Sequence, residues 1–448
     1  MISVGIDVSK GKSTVCLMKP GGEVLKRPFE VSHSKQDVAT LADLINSYNE
    51  EARVVLESTG HYHWPIAYAL SDEGLFVSVV NPYRMKRFCS QSIRRAKTDK
   101  IDSIHIAAFG ITYWSDLVQL PPKEGVYNEM RMLSRQYHQT LELFVKAKMN
   151  LQTLADKVMP GIDDLIKNNQ SNLKLTDFMN RYWHFDNILA MGEKRFCRDY
   201  VNWTKKQRYH NSEQKAKLLF AKAQSGISVL PFTLSTKIAV TEAAKCVYQL
   251  EASRKTILTQ LTELAKSLPE YETVREMSCV GDILTPLLIA EIGDLSRFKN
   301  KHALIAYAGI DAPPYQSGTY TGTNRHISKR GNGYLRKIGY EIMQSLIMHK
   351  PEGDPVYDFI IKKRDEGMGG KKAMIAGLNK FLRVYYGKVT ELYRSIEAGF
   401  LLLTILGRLQ FLSSLSSVRP FLCSKTIFEN LLTFSRFGRS LIDRIESL

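Results

Sequence analysis

The sequence predicts an α/β domain followed by a mostly helical remainder. Three observations lead there. Short β-branched runs crowd the first 80 residues, long stretches of helical periodicity fill the middle, and compact apolar segments return after residue 275. At 448 residues the chain is too long for one ordinary core, so two or three domains are expected.

Residues 2–8 (ISVGIDV) and 13–19 (STVCLMK) read as strands, and Pro20-Gly21-Gly22 is a turn signal before a third run at 23–31 (EVLKRPFEV). Ser34 can cap a helix in which Val38, Leu41, Leu44 and Ile45 recur at helical spacing. Val54-Val55-Leu56 form a fourth strand that ends at Glu57. A helix over 63–73 and a fifth strand at 75–80, closed by Asn81-Pro82, follow. The order β-β-β-α-β-α-β is that of an RNase H-like fold, placed over residues 1–122. A fold does not by itself give a function.

Two long helical stretches, about 125–158 and 238–266, predict a coiled-coil arm within a region 123–274, with a helical subdomain packed on its own chain as the alternative. Between them, 163–235 is basic, aromatic and poorly periodic, and reads as an inserted helical lobe. A third, mostly helical domain is expected over 275–395. Its Cys279-Val280-Gly281-Asp282 turn and the apolar run 283–293 resemble a helix-hairpin-helix, whose turn offers N–H groups to phosphate; a plain buried helix is the bland alternative. A loop at 311–324 follows, then the basic segment Arg325-His326-Ile327-Ser328-Lys329-Arg330-Gly331-Asn332 and another helix. Residues 396–448 are a tail of unassigned role.

A formal charge of +17 and an isoelectric point near 9.4 favour a polyanionic partner, because neutralising phosphates releases condensed counterions. The six cysteines are scattered, with no CxxC or Cys/His pairing, which argues against a zinc knuckle or a disulfide framework and fits a reducing compartment. The N-terminus lacks a signal peptide's apolar core. The apolar stretch Gly399 to Gly407 is interrupted by Arg408 well short of a membrane span. A cytoplasmic, nucleoid-associated bacterial protein without a membrane partner is expected.

The chemistry is expected at four acids. Asp7 sits inside the first strand, where a carboxylate is costly unless bound to something. Glu57 ends the fourth strand, which in this fold lies beside the first. Asp99 and Asp102 are three apart, so at a helix start they share one face. Hard oxygen ligands of this kind suit Mg²⁺ or Mn²⁺, and two such ions can serve phosphoryl transfer. Singly, each acid also has a bland reading: a turn residue, a surface strand end, a helix cap. Arg84, Lys86, Arg87, Arg94, Arg95 and Lys97 could guide a phosphate backbone, or in part form a solvated face.

Ser317, just ahead of Arg325, His326, Lys329, Arg330, Arg336 and Lys337, could act as a nucleophile on phosphate, since the cations stabilise the developing charge. Serine before glycine is also ordinary turn chemistry, and on the residues alone Ser328 is an equal candidate. The stretch Glu366 to Ala373 lacks the spacing and the hydroxyl of a Walker loop, and His61 and His63 read as packing residues.

Together the motifs GIDVSK (5–10), LESTG (56–60), VVNP (79–82) and KTDKIDS (97–103) resemble the DEDD-type transposases of the insertion-sequence 110 family, relatives of the Piv/MooV invertases. VGDILTPLLIAEIGDLSRF (280–298), AYAGI (306–310), YQSG (315–318) and ISKRGNGYLRK (327–337) extend the match. The resemblance covers about residues 1–160 and 240–350, not the lobe or the tail. It implies a RuvC-like domain that holds divalent metal on Asp7, Glu57, Asp99 and Asp102, and a transposase domain whose catalytic serine is Ser317. It further implies a structured bridge RNA that pairs with donor and target DNA, a dimer or tetramer, and strand exchange through a covalent phosphoserine. The alternative is a RuvC-like, metal-dependent, structure-specific endonuclease that hydrolyses DNA with water.

Overall fold

The computed structural model describes residues 1–58, 60–90, 98–120, 125–166, 173–210, 212–312, 316–317, 320–321 and 326–414. It divides into two compact units, Met1–Gly125 and Val126–Leu448.

The first unit opens with an antiparallel meander of β1 (Ile2–Val8), β2 (Lys12–Met18) and β3 (Val24–Ser32). Then come α1 (Lys35–Asn46), β4 (Ala52–Glu57), α2 (His63–Asp72), β5 (Phe76–Val80), α3 (Pro82–Cys89) and α4 (Asp99–Thr112). The sheet order is β3-β2-β1-β4-β5, with β1–β4 and β4–β5 parallel. This is the RNase H-like arrangement that the element order predicts.

Strand alternation assigns the two faces of the sheet. Ile2, Val4, Ile6 and Val8 are buried in one core with Val38, Leu41 and Ile45 of α1 and Ile66 and Leu70 of α2. Each such side chain contributes about 1.5–3 kcal/mol when fully buried. Ser34 caps α1, its hydroxyl accepting from the Asp37 N–H at 3.1 Å. The odd-numbered residues of β1 face α4 instead. A Cβ on Gly5 would overlap the backbone of Ser103 and Ala107, so only glycine lets the helix lie this close to the strand. A Cβ on Gly110 would overlap the side chains of Ser3 and Val55.

In the second unit α5 (Val126–Val158) leads into α6 (Ile162–Leu165), α7 (Lys174–Tyr182), α8 (Phe185–Leu189), α9 (Glu193–Lys206) and α10 (Glu213–Ser225), and α11 (Leu234–Lys266) returns. The start of α5 shares a core with the end of α11 through Met130, Tyr137, Leu261 and Ala265. The end of α5 meets the start of α11 through Leu151, Ala155, Val240 and Ala244. The two 33-residue helices therefore run antiparallel, as a spine common to two cores. The lobe on this spine has an aromatic interior of Phe178, Tyr182, Phe196, Tyr200 and Trp203. Asp199 ties it together, accepting from the Tyr182 hydroxyl at 2.6 Å and from Arg181 at 2.6 and 3.0 Å.

The other core gathers α12 (Tyr271–Arg275), α13 (Gly281–Ile292), α14 (Lys301–Ala308), α15 (Gly333–His349), α16 (Pro355–Asp365) and α17 (Gly370–Ser414). Cys279 and Gly281, at φ 62° and 61°, make the turn between α12 and α13, and α13 is buried from Thr285 to Ile292. The 311–324 stretch, read from sequence as loop, contains a short antiparallel pair, β6 (Gln316–Ser317) and β7 (Tyr320–Thr321). α17 runs unbroken through residue 396. Among the described residues no helix is long and apolar enough to cross a membrane.

His138 of α5 is 1% exposed and packs 5.3 Å from the Tyr334 ring. Burial, aided by the Lys337 charge, pushes its pKa down from 6.5 to about 4. Between those values the unfolded chain binds a proton that the folded chain refuses, so stability falls as pH drops from 6.5 towards about 4. His138→Phe is expected to flatten that part of the stability–pH curve, measured by denaturant melts; an unchanged slope would contradict the assignment.

Candidate active site

The acids are placed by sheet register. Asp7 lies two residues beyond Gly5 on β1, hence on the same face, beneath α4. Gly5 is level with Val55, and Ile6 with Leu56, on the parallel strand β4. One step further, Glu57 stands beside Asp7 on that same face. Neighbouring strands lie about 4.8 Å apart, so the two carboxylates are neighbours, and both are half-buried.

α4 brings the other two. Its N-cap is Thr98, whose hydroxyl accepts from the Ile101 N–H at 3.3 Å, so neither aspartate serves as the cap. Asp99 and Asp102 lie in the first turn, where the helix dipole favours negative charge. Gly110, Ala107 and Ser103 meet Ser3 and Gly5 in reverse order, so α4 runs antiparallel to β1 and its first turn approaches the Asp7 end. Cys89, at the end of α3, senses the cluster. Burial pushes its thiol up, and the charges of Asp102 and Glu57 push it further. Asp99 lies towards β2, where its charge and the Glu30 carboxylate together favour the charged form of Lys12, Glu30 first.

Carboxylate oxygens are the donor type that suits a hard divalent cation, and register puts Asp7 and Glu57 on one face. Among the described residues no group of three or more His, Cys, Asp or Glu side chains is gathered closely enough to hold an ion.

Arg84, Lys86 and Arg87 are exposed on α3, which Asn81 caps by accepting from the Tyr83 N–H at 2.8 Å. The Arg84 guanidinium lies 5.5 Å from both the Phe109 and the Tyr113 rings, which holds it beside α4. Arg94, Arg95 and Lys97, expected to guide phosphate, lie outside the described residues, as does Arg325.

Ser317 ends β6 and pairs with Tyr320 of β7. Ser328 is used differently. Its hydroxyl donates to Asp311 Oδ1 at 2.5 Å, and its N–H donates to the Asp311 carbonyl at 2.8 Å. These bonds close the base of the segment that carries Ser317. Lys329, at φ 53°, donates its N–H to the Gly309 carbonyl at 2.9 Å, and its side chain is exposed. Arg330 is exposed as well, and Arg336 reaches back to the carbonyls of Ala308 and Gly331 at 2.9 and 3.2 Å.

Sequence reasoning missed the carboxylate beneath this segment. Glu291 is fully buried and accepts from Asn332 Nδ2 at 2.7 Å and Ser134 Oγ at 3.0 Å. Asn332 in turn caps α15, accepting from the N–H groups of Tyr334 and Leu335 at 3.0 and 3.1 Å. An acid inside the apolar run ILTPLLIAEIG was the available signal.

Residues 4–160 match a DEDD transposase profile of the IS110 type, and residues 271–358 match a profile of the IS116/IS110/IS902 transposase family. The chain belongs to the IS110 family of transposases. The first match contains all four acids and the second contains Ser317. A Streptomyces clavuligerus relative, the uncharacterized 44.8 kDa protein of insertion element IS116, is 23% identical over 375 residues, spanning 84% of this transposase and 91% of the relative. Two solved T. thermophilus RuvC structures are also similar. One, in complex with a Holliday junction substrate, has 14% identity, a TM-score of 0.22 and covers 27% of this chain and 99% of its own. The other has 16% identity, a TM-score of 0.21 and covers 27% and 100%. Membership of this transposase family makes the chain an enzyme that acts on DNA.

Proposed function

We propose that this transposase catalyses strand exchange between donor and target DNA through a phosphoserine formed on Ser317, directed by a structured guide RNA. The observation that carries the reading is the placing of Asp7 and Glu57 side by side under the first turn of α4. It occurs in a chain whose second family match holds a serine amid cations. Two neighbouring carboxylates repel each other unless a positive charge is shared between them.

Asp7, Glu57, Asp99 and Asp102 would hold Mg²⁺ or Mn²⁺, which when bound neutralises charge on the scissile phosphate. Arg84, Lys86 and Arg87, with Arg94, Arg95 and Lys97, track the phosphate backbone towards the acids. Lys329 and Arg330 do the same near the serine. The Ser317 oxygen forms a bond to phosphorus as one P–O bond to a deoxyribose breaks. The departing sugar oxygen takes up the proton that the hydroxyl gives away. A sugar hydroxyl from the other DNA then displaces Ser317, which recovers its proton, and the number of phosphodiesters is conserved. The acids and the serine lie in separate units, so a homodimer or homotetramer can assemble the site from two protomers.

Purified protein with guide RNA, Mg²⁺ and both DNA substrates is expected to exchange strands, and Ser317→Ala to abolish the products. DNA cut by that variant at the unmodified rate would instead support hydrolysis by water at the acids.

A further inference from the structure

A cleft of about 1170 Å³ lies in the second unit among α16, the start of α17 and the chain on either side of the Ser317 segment. Ala312 and His326, which bracket that segment in sequence, both line it. Ser317 is five residues from Ala312, so by chain length alone it lies within about 17 Å of the cleft wall. Among the described residues of the lining the charged ones are all cations, including Lys329, Lys371, Lys372, Lys380 and Arg383. Lys371, Lys372 and Arg383 are exposed at the rim. The floor is apolar, with Phe359, Met368 and Ile375, and Lys380 Nζ lies 5.0 Å from the centre of the Phe359 ring.

This combination suits one ligand class. A cationic rim over an apolar, partly aromatic floor matches single-stranded nucleic acid, whose phosphates meet the rim while base faces lie on the floor. A duplex keeps its base faces stacked and presents only phosphate and groove edges, so it has no use for the floor. Pockets for one drug-sized ligand run to roughly 300–1,000 Å³, so this cleft has room for about two or three nucleotides. The Lys371-Lys372 pair belongs to the glycine-rich stretch that lacks Walker spacing. Here that stretch supplies a phosphate rim at the start of α17 without needing a nucleotide-triphosphate loop.

We propose that the cleft seats a short unpaired stretch of the DNA strand that Ser317 attacks. The identity of the strand rests on the reading of Ser317 given above; the binding itself does not.

The test uses full-length Ser317→Ala protein in EDTA, so that neither nucleophile nor metal takes part. Fluorescence anisotropy compares a labelled octamer of single-stranded DNA with its duplex and with RNA of the same sequence. Lys371→Gln/Lys372→Gln/Arg383→Gln is expected to weaken single-stranded DNA binding at least about tenfold and to lower its salt slope by roughly 2. Duplex binding should stay within about twofold. Phe359→Ala is expected to cost single strands roughly fivefold or more. If that variant fails to fold, the exposed lysine and arginine changes still decide the matter. Unchanged single-strand affinity, equal losses for duplex and single strand, or a loss confined to RNA would each overturn the proposal. Loss of single-stranded DNA binding in the triple variant with duplex binding kept would uphold the cleft as a single-strand site even if no phosphoserine ever formed.

Discussion

Asp7→Asn is expected to lower strand exchange by on the order of 10³-fold, with DNA binding in EDTA unchanged. The loss is that of a group aimed at charge on the reacting phosphate, where removal of one such partner costs about 10²–10³. Asp7 lies on the face of β1 pressed against α4, next to Glu57 and away from the apolar core of Val4 and Ile6. The substitution therefore leaves the packing intact. A second readout separates chemistry from folding. Mg²⁺ or Mn²⁺ should raise the melting temperature of the wild-type chain, because a ligand that binds only the folded state stabilises it by mass action. The same ions should not move the variant. A variant that exchanges strands at the wild-type rate would remove the acids from the reaction.

The two serines separate in the same assay. Ser317→Ala is expected to leave no recombinant product, with folding checked by its thermal melt. Ser328→Ala leaves Asp311 without the hydroxyl that donates to it at 2.5 Å, at a stability cost of about 1–3 kcal/mol. It should slow exchange by loosening the base of the Ser317 segment, yet still give product. The reverse pattern, product from Ser317→Ala and none from Ser328→Ala, would make Ser328 the nucleophile, with Asp311 as its base.

The first unit was legible because its signals are local. Ile2, Val4, Ile6 and Val8 alternate with small or polar residues, and a carboxylate at position 7 is conspicuous in such a strand. That Asp7 shares a face with Glu57 was not legible, since it depends on the register of β1 with β4 and on Gly5 admitting α4. The lobe resisted for another reason. Its core is assembled from aromatic side chains on several short helices, the longest Glu193–Lys206, and none is long enough to print a clear period. The 311–324 stretch looked like loop because two-residue strands leave no alternation to read. Glu291 was hidden by its surroundings, an apolar helix that buries it, and its partners Ser134 and Asn332 lie 157 and 41 residues away in sequence.

The most direct test of the central claim is to trap the protein on suicide DNA substrates in the presence of guide RNA and Mg²⁺ and to map any covalent adduct by mass spectrometry. The account predicts one phosphodiester-linked adduct, on the peptide containing Ser317, absent from Ser317→Ala and from Asp7→Asn. Cleaved DNA without an adduct, or an adduct that survives in Ser317→Ala, would contradict it.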